Sequence, residues 1–289
     1  MKPQLRLVRF SADGGPPMVG VGVGESIFAL GRHTMGELLA TSPAQILREC
    51  TKAIELARPV AGLLRLLPPI DGRTEVWAAG VTYKRSLEAR IAESLEANVY
   101  DRVYLAERAE LFFKAPSWRV VTNGDAIGLR ADSPLNVAEP ELAVVVTSSG
   151  EIVGYCICND MSSRSIEGEN PLYLPQAKIY DGSCALGDSI VLVSDEDEQH
   201  RDITMVIERA GTDVWSGSTS SGMLHREIPE LVRLAMSHLA FPEGLVLATG
   251  TGIVPELDFS VQAGDVVRIS ISGLGELANR VDAVGSVSR

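Results

Sequence analysis

The sequence has no excess of positive charge and no long apolar run. Its 26 lysine and arginine residues stand against 38 aspartate and glutamate residues, which gives a formal net charge of −12. Such an acidic chain argues against nucleic acid and against an anionic membrane as partners. No apolar run approaches the roughly 20 residues that cross a bilayer, and no basic leader with an apolar stretch opens the chain. We therefore expect a cytoplasmic protein whose partner is a small molecule.

Cysteine is also scarce. The four cysteines, Cys50, Cys156, Cys158 and Cys184, show no Cys-x-x-Cys spacing. Cys156 and Cys158 fall on one face of a run that is expected to form a buried strand. We therefore expect reduced thiols in the protein core.

The distribution of turn residues divides the chain near residue 70. Residues 1–70 combine short strand-like runs with helical patterns, which predicts a small N-terminal α+β domain. Residues 71–289 contain many short β runs separated by Gly, Pro, Asn and Asp, which predicts a mostly β catalytic domain. At 289 residues the chain is long enough to bury a large core without disulfides. The expected fold class is therefore α+β.

A predicted hairpin at residues 139–160 is the most informative stretch, because acids stand at its open end. Strand side chains alternate between faces, so Glu139 and Glu141 project from the same side. If Ser149-Gly150 forms a two-residue loop, paired positions add up to 299, which places Asp160 directly across from Glu139. Three carboxylates then share one patch.

This patch is a candidate metal site. Directly opposed residues have Cβ atoms about 5 Å apart and diagonal ones about 7 Å, which is close enough to share one cation. Oxygen ligands alone favour a hard cation, Mg²⁺, Mn²⁺ or Ca²⁺, over zinc. Three ligands leave positions open for water or substrate. The alternative is that these residues are solvated acids at the end of a strand.

Further motifs accompany the hairpin and together resemble a known family. After Glu139-Pro-Glu141 come, in order, Asn159-Asp160-Met-Ser-Ser-Arg164, Lys178, Thr249-Gly-Thr251 and Gly264-Asp265-Val-Val. From about residue 76 to residue 281, this order resembles the fumarylacetoacetate hydrolase superfamily. The resemblance implies Mg²⁺ held by Glu139, Glu141 and Asp160, with Mn²⁺ or Ca²⁺ as alternatives. It also implies a mixed β-roll catalytic domain and assembly as a homodimer or homotetramer.

Three segments are most similar to dehydratases of that superfamily that act on acids of the 2-keto-3-deoxy-D-arabinonate type. They are Glu110-Leu-Phe-Phe-Lys-Ala, Glu169-Asn-Pro-Leu-Tyr-Leu-Pro-Gln-Ala-Lys-Ile-Tyr and Thr249-Gly-Thr-Gly-Ile-Val-Pro. This similarity implies a metal-dependent hydro-lyase of pentose catabolism. Its substrate would be a small 2-keto acid, and its product a 2-oxo semialdehyde.

The resemblance implies catalytic roles for two residues. A 2-keto acid chelates a divalent ion through its carboxylate and keto oxygens, which makes its C3 proton acidic. Lys178 would remove that proton as general base and leave an enolate. Glu110 would protonate the departing C4 hydroxyl, provided that burial keeps Glu110 protonated. The sequence leaves open which of the two is the base and which is the acid.

Five further residues are expected to bind the substrate or to balance charge near the metal. Thr251 and the amide of Gly250 would bind its carboxylate. Lys114 would offset negative charge near the metal, or would instead be a partner of the acidic ligands themselves. Tyr83 and Arg85, at the start of a charged helix, would reach the sugar hydroxyls.

Two other functions stay open at this point. The superfamily's other major reaction is hydrolysis of a carbon–carbon bond in a 2,4-diketo acid of the acylpyruvate or fumarylacetoacetate type, which generally uses a histidine. All four histidines, His33, His200, His225 and His238, lie outside residues 80–130, which favours dehydration, although His33 could reach the site from the N-terminal domain. A protein of a different class would bind keto acids or a structural cation without turnover.

Overall fold

The computed structural model describes residues 4–32, 34–93, 102–194 and 200–285. Strands provide most of the regular structure in these ranges. In chain order they are β1 (Leu5–Ala12), β2 (Met18–Val23), β3 (Ser26–Ala29), β4 (Leu64–Leu67), β5 (Glu75–Gly80), β6 (Glu110–Pro116), β7 (Ala126–Arg130), β8 (Asn136–Val137), β9 (Pro140–Val146), β10 (Ile152–Asp160), β11 (Ser162–Ser163), β12 (Cys184–Leu186), β13 (Ser189–Leu192), β14 (Asp202–Arg209), β15 (Thr212–Ser220), β16 (Leu245–Ala248), β17 (Val266–Ile271) and β18 (Gly275–Val284).

Helices are fewer and mostly short. They are α1 (Met35–Leu39), α2 (Pro43–Leu56), α3 (Lys84–Glu93), α4 (Arg164–Glu169), α5 (Leu174–Lys178) and α6 (Ile228–Met236), with 3-10 turns at Ser117–Arg119, Pro171–Tyr173 and Ser221–Met223. A further helical turn covers residues 102–105. Helix α2 begins where the sequence places a proline in the first turn, and the side chain of Ser42 caps it by accepting from the amide of Gln45.

Most strands form one large sheet. Its order is β3-β2-β1-β13-β10-β9-β16-β5-β6, with β12 beside β10 and β4 beside β1. A second sheet has the order β15-β14-β17-β18-β7, and β8 pairs with β11 as a short ribbon. Of the pairs described, β16 with β5 and β18 with β7 are parallel and the rest are antiparallel. This strand-dominated α+β architecture confirms the predicted fold class.

The N-terminal segment joins the large sheet through β1. Leu7 of β1 lies across from Ile190 of β13, and both are fully buried. The strands of the first 70 residues therefore continue the same sheet that carries β9 and β10. The division into domains at residues 1–70 and 71–289 stays a prediction.

Strand β9 lies near the middle of the large sheet, and all seven of its residues are buried. Its side chains alternate between two apolar clusters, with Ala143 and Val145 in one and Val144 and Val146 in the other. Burying a valine side chain contributes about 1.5–3 kcal/mol relative to exposure. The strand is thus held on both faces, which fixes the position of its polar end.

The β9–β10 hairpin has the predicted register near its open end. Glu141 lies across from Cys158 and Pro140 across from Asn159, so both pairs add up to 299. The amide of Asp160 donates to the carbonyl of Glu139 at 2.9 Å. Asp160 therefore lies opposite Glu139, as the sequence predicts.

The predicted two-residue loop of this hairpin is wrong. The amide of Thr147 donates to the carbonyl of Glu151, which leaves a loop of residues 148–150 that ends at Gly150 with a φ of +84°. A bulge between Ile152 and Gly154 then adds one residue to β10. The longer loop and the bulge compensate each other, so the register at the acids is the one predicted.

Two simpler expectations concern the thiols and the membrane. All four cysteines are buried and free, which confirms the expectation of reduced core thiols. Within the part of the chain that the structure describes, no helix has the length and apolarity needed to cross a membrane.

Candidate metal centre and active site

Three acidic side chains meet at the open end of the β9–β10 hairpin. Glu139 directly precedes β9, Glu141 lies within β9, and Asp160 ends β10. They are 2%, 2% and 0% exposed, and one carboxylate oxygen from each lies within 4.8 Å of the others. We call these residues the carboxylate trio. Such burial does not fit the alternative of solvated acids at a strand end.

Lys178 contacts two members of the trio. It is the last residue of α5 and is 2% exposed. Its Nζ donates to Glu139 Oε2 at 2.7 Å, to Asp160 Oδ2 at 2.8 Å and to Ser162 Oγ at 2.5 Å. A ligand held by the trio would therefore lie beside this amine.

Lys114 supports the trio from β6. Its side chain is fully buried, and its Nζ lies 2.5 Å from Asp160 Oδ1. The same Nζ donates to the backbone carbonyls of Met161 and Lys178, at 3.0 Å and 2.5 Å. The position agrees with the expectation that Lys114 is a partner of an acidic ligand, and it also fixes the backbone next to Asp160 and Lys178.

Arg164 completes the charge balance, and sequence reasoning gave it no role. It begins α4, is 2% exposed, and lies with its Nη2 2.7 Å from Glu139 Oε1. Arg164 belongs to the motif that starts at Asn159, and this was the sequence signal that could have identified it as a site residue. Three buried basic side chains, Lys114, Lys178 and Arg164, thus lie against Glu139 and Asp160 of the trio.

Gly250 positions Glu141, the third acid of the trio. Its amide donates to Glu141 Oε2 at 2.7 Å, and its φ is +92°. A Cβ at this residue would come within 2.0 Å of Thr82 Oγ1 and 2.9 Å of the carbonyl oxygen of Ala79. Only glycine fits this backbone. The structure gives the amide a partner within the trio, so its predicted contact with a substrate carboxylate stays a prediction.

The surroundings of Glu141 disfavour its charged form. Burial raises the pKa of Glu141 well above its usual 4.5, the charges of Asp160 and Glu139 raise it further, and Lys178 acts in the opposite direction. A divalent cation would stabilise the carboxylate form. The electrostatics of the trio therefore favour a bound cation.

We expect the stability of the metal-free protein to fall as the pH rises. The folded state binds the proton of Glu141 more tightly than the unfolded chain does. The resulting stability is fully present below the ordinary value of 4.5 and is lost as the pH rises through the raised pKa of the folded state. Metal binding needs the carboxylate, so Mg²⁺ affinity should rise over the same window, and saturating Mg²⁺ should offset the loss.

Thermal unfolding of the wild type and of Glu141→Gln across this pH range, with EDTA and with Mg²⁺, measures the effect. In EDTA the wild type should show the pH slope, and the variant should have lost most of it. An equal slope in both proteins would assign the titration to another group.

The trio faces a narrow cleft that several elements line. Glu110, at the start of β6, is partly buried and lies across from Gly80 of β5. A Cβ on Gly80 would come within 2.1 Å of Glu110 Oε2, so the carboxylate folds over that glycine. The Nζ of Lys178 lies 5.5 Å from the ring centroid of Phe112. Lys178, Glu110 and the carboxylate trio all line this one cleft.

The other residues expected at the site differ in position. Thr251 lines the cleft and is 4% exposed, and its hydroxyl donates to the carbonyl of Ile253 at 3.2 Å.

Tyr83 is 1% exposed, and its hydroxyl has no hydrogen-bond partner among the described residues. Burial raises the pKa of Tyr83, and the charge of Glu141 adds to the rise. Arg85 is exposed. The cleft lining includes neither Tyr83 nor Arg85, and their contacts with substrate stay predictions.

Two buried polar residues of the cleft escaped sequence reasoning. Ser86 of α3 is 6% exposed and Glu167 of α4 is 4% exposed, and both line the cleft. Neither stands in a motif that points to chemistry. Only the packing of the two helices over the site identifies them.

The match to a known protein family covers the region that contains these motifs. The sequence profile described as fumarylacetoacetate (FAA) hydrolase C-terminal matches residues 75–282. A probable 2-keto-3-deoxyxylonate dehydratase of Haloferax volcanii is 49% identical over 217 residues, which cover 75% of this chain and 74% of that protein. The 2-dehydro-3-deoxy-D-arabinonate dehydratase of Saccharolobus solfataricus is 42% identical over 224 residues, with the same coverage of 75% and 74%.

Comparison with solved structures extends the similarity to the whole fold. A 2-keto-3-deoxy-D-arabinonate dehydratase complexed with magnesium and 2,5-dioxopentanoate matches with a TM-score of 0.80. It is 35% identical, and the match covers 96% of this chain and 99% of that one.

Proposed function

Because the chain belongs to the fumarylacetoacetate hydrolase family, we propose that it removes water from a 2-keto-3-deoxy sugar acid of the 2-keto-3-deoxy-D-arabinonate type and gives a 2-oxo semialdehyde. The reaction would depend on Mg²⁺. One observation carries the proposal: a single cleft holds a buried carboxylate trio, a lysine that contacts two of its members, and a partly buried glutamate.

The enzyme class rests on the relatives. The chain is a metal-dependent dehydratase, since the two proteins named dehydratases are 49% and 42% identical to it over three quarters of its length. The structure with bound magnesium also holds 2,5-dioxopentanoate, a 2-oxo acid with an aldehyde at C5. A product of that kind supports a pentose-derived acid as the substrate proposed here.

The donor set of the trio fits Mg²⁺. Glu139, Glu141 and Asp160 offer only oxygen, which suits a hard cation. Burial raises the pKa of Glu141 well above its usual value, and the charges of Asp160 and Glu139 add to the rise, so a bound cation would stabilise its carboxylate form. Bound Mg²⁺ would act as a Lewis acid on the keto group of the substrate.

We assign the transfer of the C3 proton to Lys178. Its Nζ lies within 2.8 Å of two trio oxygens, so a keto acid bound at the trio would present C3 close to this amine. The neutral amine would take the proton, and the electron pair of the C–H bond would stay with the substrate as an enolate.

Glu110 would complete the elimination from another side of the cleft. It gives a proton to the C4 hydroxyl, the C4–O bond breaks, and water leaves while the enolate pair forms the C3=C4 double bond. The Glu110 carboxylate then takes a proton from C5, and the Lys178 ammonium returns its proton to C3. Both residues are restored, and the enol left at C4 and C5 tautomerises to the aldehyde.

Lys114 and Arg164 would hold the trio in its reactive arrangement. Lys114 contacts Asp160 at 2.5 Å and Arg164 contacts Glu139 at 2.7 Å. Each fixes a carboxylate whose orientation would otherwise be set by repulsion within the trio. Partners of this kind typically change metal affinity or activity by about 10- to 100-fold when removed.

A direct assay separates this function from its two alternatives. Purified protein with Mg²⁺ is given 2-keto-3-deoxy-D-arabinonate and, separately, a 2,4-diketo acid. We expect semialdehyde from the first, with turnover lost in EDTA and regained when Mg²⁺ is added. Pyruvate release from the diketo acid without semialdehyde formation would identify a carbon–carbon hydrolase. Metal binding without turnover of either compound would identify a binding protein.

A further inference from the structure

We infer that Leu224, His225 and Arg226 fasten both ends of the segment that carries α3, and so act as positioning residues that hold this helix at the cleft. We call residues 224–226 the clasp. They connect the 3-10 turn Ser221–Met223 with α6. The effect of the clasp on a substrate rests on the proposed function, whereas its contacts do not.

The first end of the segment follows β5. The chain passes through Val81, which has a φ of +51°, a conformation that β-branched residues rarely adopt. Neighbouring contacts must therefore hold the backbone here. The amide of His225 donates to the carbonyl of Thr82 at 2.9 Å, and Leu224 and Tyr83 form a single antiparallel bridge. The clasp thus fixes the backbone directly before α3.

The second end of the segment precedes β6. The ring of His225 stacks on the ring of Tyr104, with centroids 4.3 Å apart and an angle of 20° between the planes. The guanidinium of Arg226 donates to the carbonyl of Val103 at 3.5 Å and to the carbonyl of Ala106. His225 therefore contacts both ends, the first with its backbone amide and the second with its ring.

The clasp is itself supported by α6. The side chain of Arg226 is 9% exposed, and its Nη1 donates to Glu230 Oε1 at 3.2 Å, one turn along that helix. Ala109, between the second end and β6, is 6% exposed and belongs to the same apolar cluster as Leu231 and Val232 of α6. A planar guanidinium has several fixed donors, so it can bind Glu230 and the backbone carbonyls together. The position of the segment is thereby tied to a packed helix.

Each fastened end lies four positions before a residue that lines the cleft. Ser86 follows Thr82, and Glu110 follows Ala106, each by four residues. Glu110 is also held by the pairing of β6 with β5, so loosening the clasp would act first on α3. Ser86 is 6% exposed, and α3 contacts α4, so a displaced α3 would open the cleft. A substrate would then bind only the molecules with α3 in place, and its apparent affinity would fall by that fraction.

Two other roles of His225 predict different results. An imidazole that transferred protons, as in the hydrolase alternative, could not be replaced by any side chain that does not titrate. A residue that only stabilised the fold would lower the unfolding temperature and leave KM unchanged well below it. His225→Phe separates these roles, because phenylalanine keeps an aromatic ring against Tyr104 and has no titratable nitrogen.

The experiment compares wild type with His225→Ala, His225→Phe and Arg226→Gln. Arg233→Gln is the matched control, since Arg233 is an exposed arginine of α6. Hydrogen exchange is followed by mass spectrometry in peptides that cover residues 84–93 and 102–109. The values of kcat and KM are measured with 2-keto-3-deoxy-D-arabinonate and Mg²⁺, and calorimetric titration with Mn²⁺ reports whether the carboxylate trio is intact.

We expect His225→Ala and Arg226→Gln to speed exchange in both ranges by about two- to tenfold, because each loses a contact that closes the segment. KM should rise about tenfold while kcat stays within about threefold and Mn²⁺ affinity within about twofold. His225→Phe and Arg233→Gln should match the wild type in every measurement.

Three results would overturn the inference. Faster exchange at residues 102–109 alone, or in neither range, would show that the clasp does not join the two ends. Faster exchange with an unchanged KM would show that it does not position α3 for substrate. A His225→Phe variant as impaired as His225→Ala would remove the stacking contact from the argument. If the wild type does not dehydrate the sugar acid, the proposed function fails, and the exchange rates alone decide whether the clasp joins the two ends.

Discussion

Lys178→Met is expected to lower turnover of the 2-keto-3-deoxy acid by about 10²- to 10⁴-fold, because it removes the group that accepts the C3 proton. Methionine keeps a similar length and apolar stem, so the packing of α5 should survive. Metal binding should persist and become tighter. In the metal-free site the lysine ammonium lies 2.7 Å from Glu139 and 2.8 Å from Asp160. A cation at the trio disfavours that ammonium and leaves the neutral amine that the base role needs, so removing the lysine spares the metal this cost.

Single-turnover rates and calorimetric titration with Mn²⁺ measure the two effects separately. Lys52→Met is the control, since Lys52 is an exposed residue of α2 far along the chain from the site. Unchanged turnover in Lys178→Met would refute the base assignment. Loss of Mn²⁺ binding together with turnover would show that Lys178 organises the ligands, and the rate effect would then no longer identify a base.

The register of the acids could be predicted because it depends on strand alternation alone. Glu139 and Glu141 are two residues apart, and Asp160 is placed opposite by pairing across the hairpin. A shift of one residue would have moved Asp160 to the other face. The loop was predicted wrongly, since nothing in the sequence distinguishes a two-residue turn from a three-residue turn followed by a bulge. The predicted register of the acids is nevertheless correct, because the bulge compensates for the longer loop.

The partners of the acids could not be predicted in the same way. Arg164 reaches Glu139 from a helix that begins after β11, and the amide of Gly250 reaches Glu141 across 109 positions of the chain. Such contacts depend on how distant segments pack, which local periodicity does not encode. Ser86 and Glu167 belong to the same class, because only the packing of their helices buries them beside the cleft.

The charge balance of the trio leads to the largest expected effect on stability. Asp160→Asn keeps the shape of the side chain and removes its charge. Lys114 is 0% exposed and would then meet only neutral acceptors among the described residues, which are the carbonyls of Met161 and Lys178 and the amide oxygen of the new side chain. Removing one partner of a buried ion pair costs about 3–5 kcal/mol, which corresponds to a fall in Tm on the order of 10 °C.

Neutralising Asp160 also has a stabilising effect, which we expect to be smaller than the loss. Asp160 also repels Glu141, so its neutralisation relieves part of the strain that raises the Glu141 pKa. The ammonium contacts of Asp160 lie at 2.5 Å and 2.8 Å, whereas oxygens within the trio are separated by up to 4.8 Å. Because both ammonium groups are in direct contact with Asp160, we expect the lost attractions to outweigh the lost repulsion.

Thermal unfolding of Asp160→Asn in EDTA tests this balance, and Asp181→Asn is the control. The side chain of Asp181 is 87% exposed, and its ion pair with Arg119 at 3.9 Å should contribute about 1 kcal/mol at most. Mn²⁺ affinity should also fall in Asp160→Asn by at least about tenfold, because a ligand is lost. A metal-free Asp160→Asn as stable as the wild type would mean that repulsion within the trio, rather than its pairing with lysine, dominates the buried site.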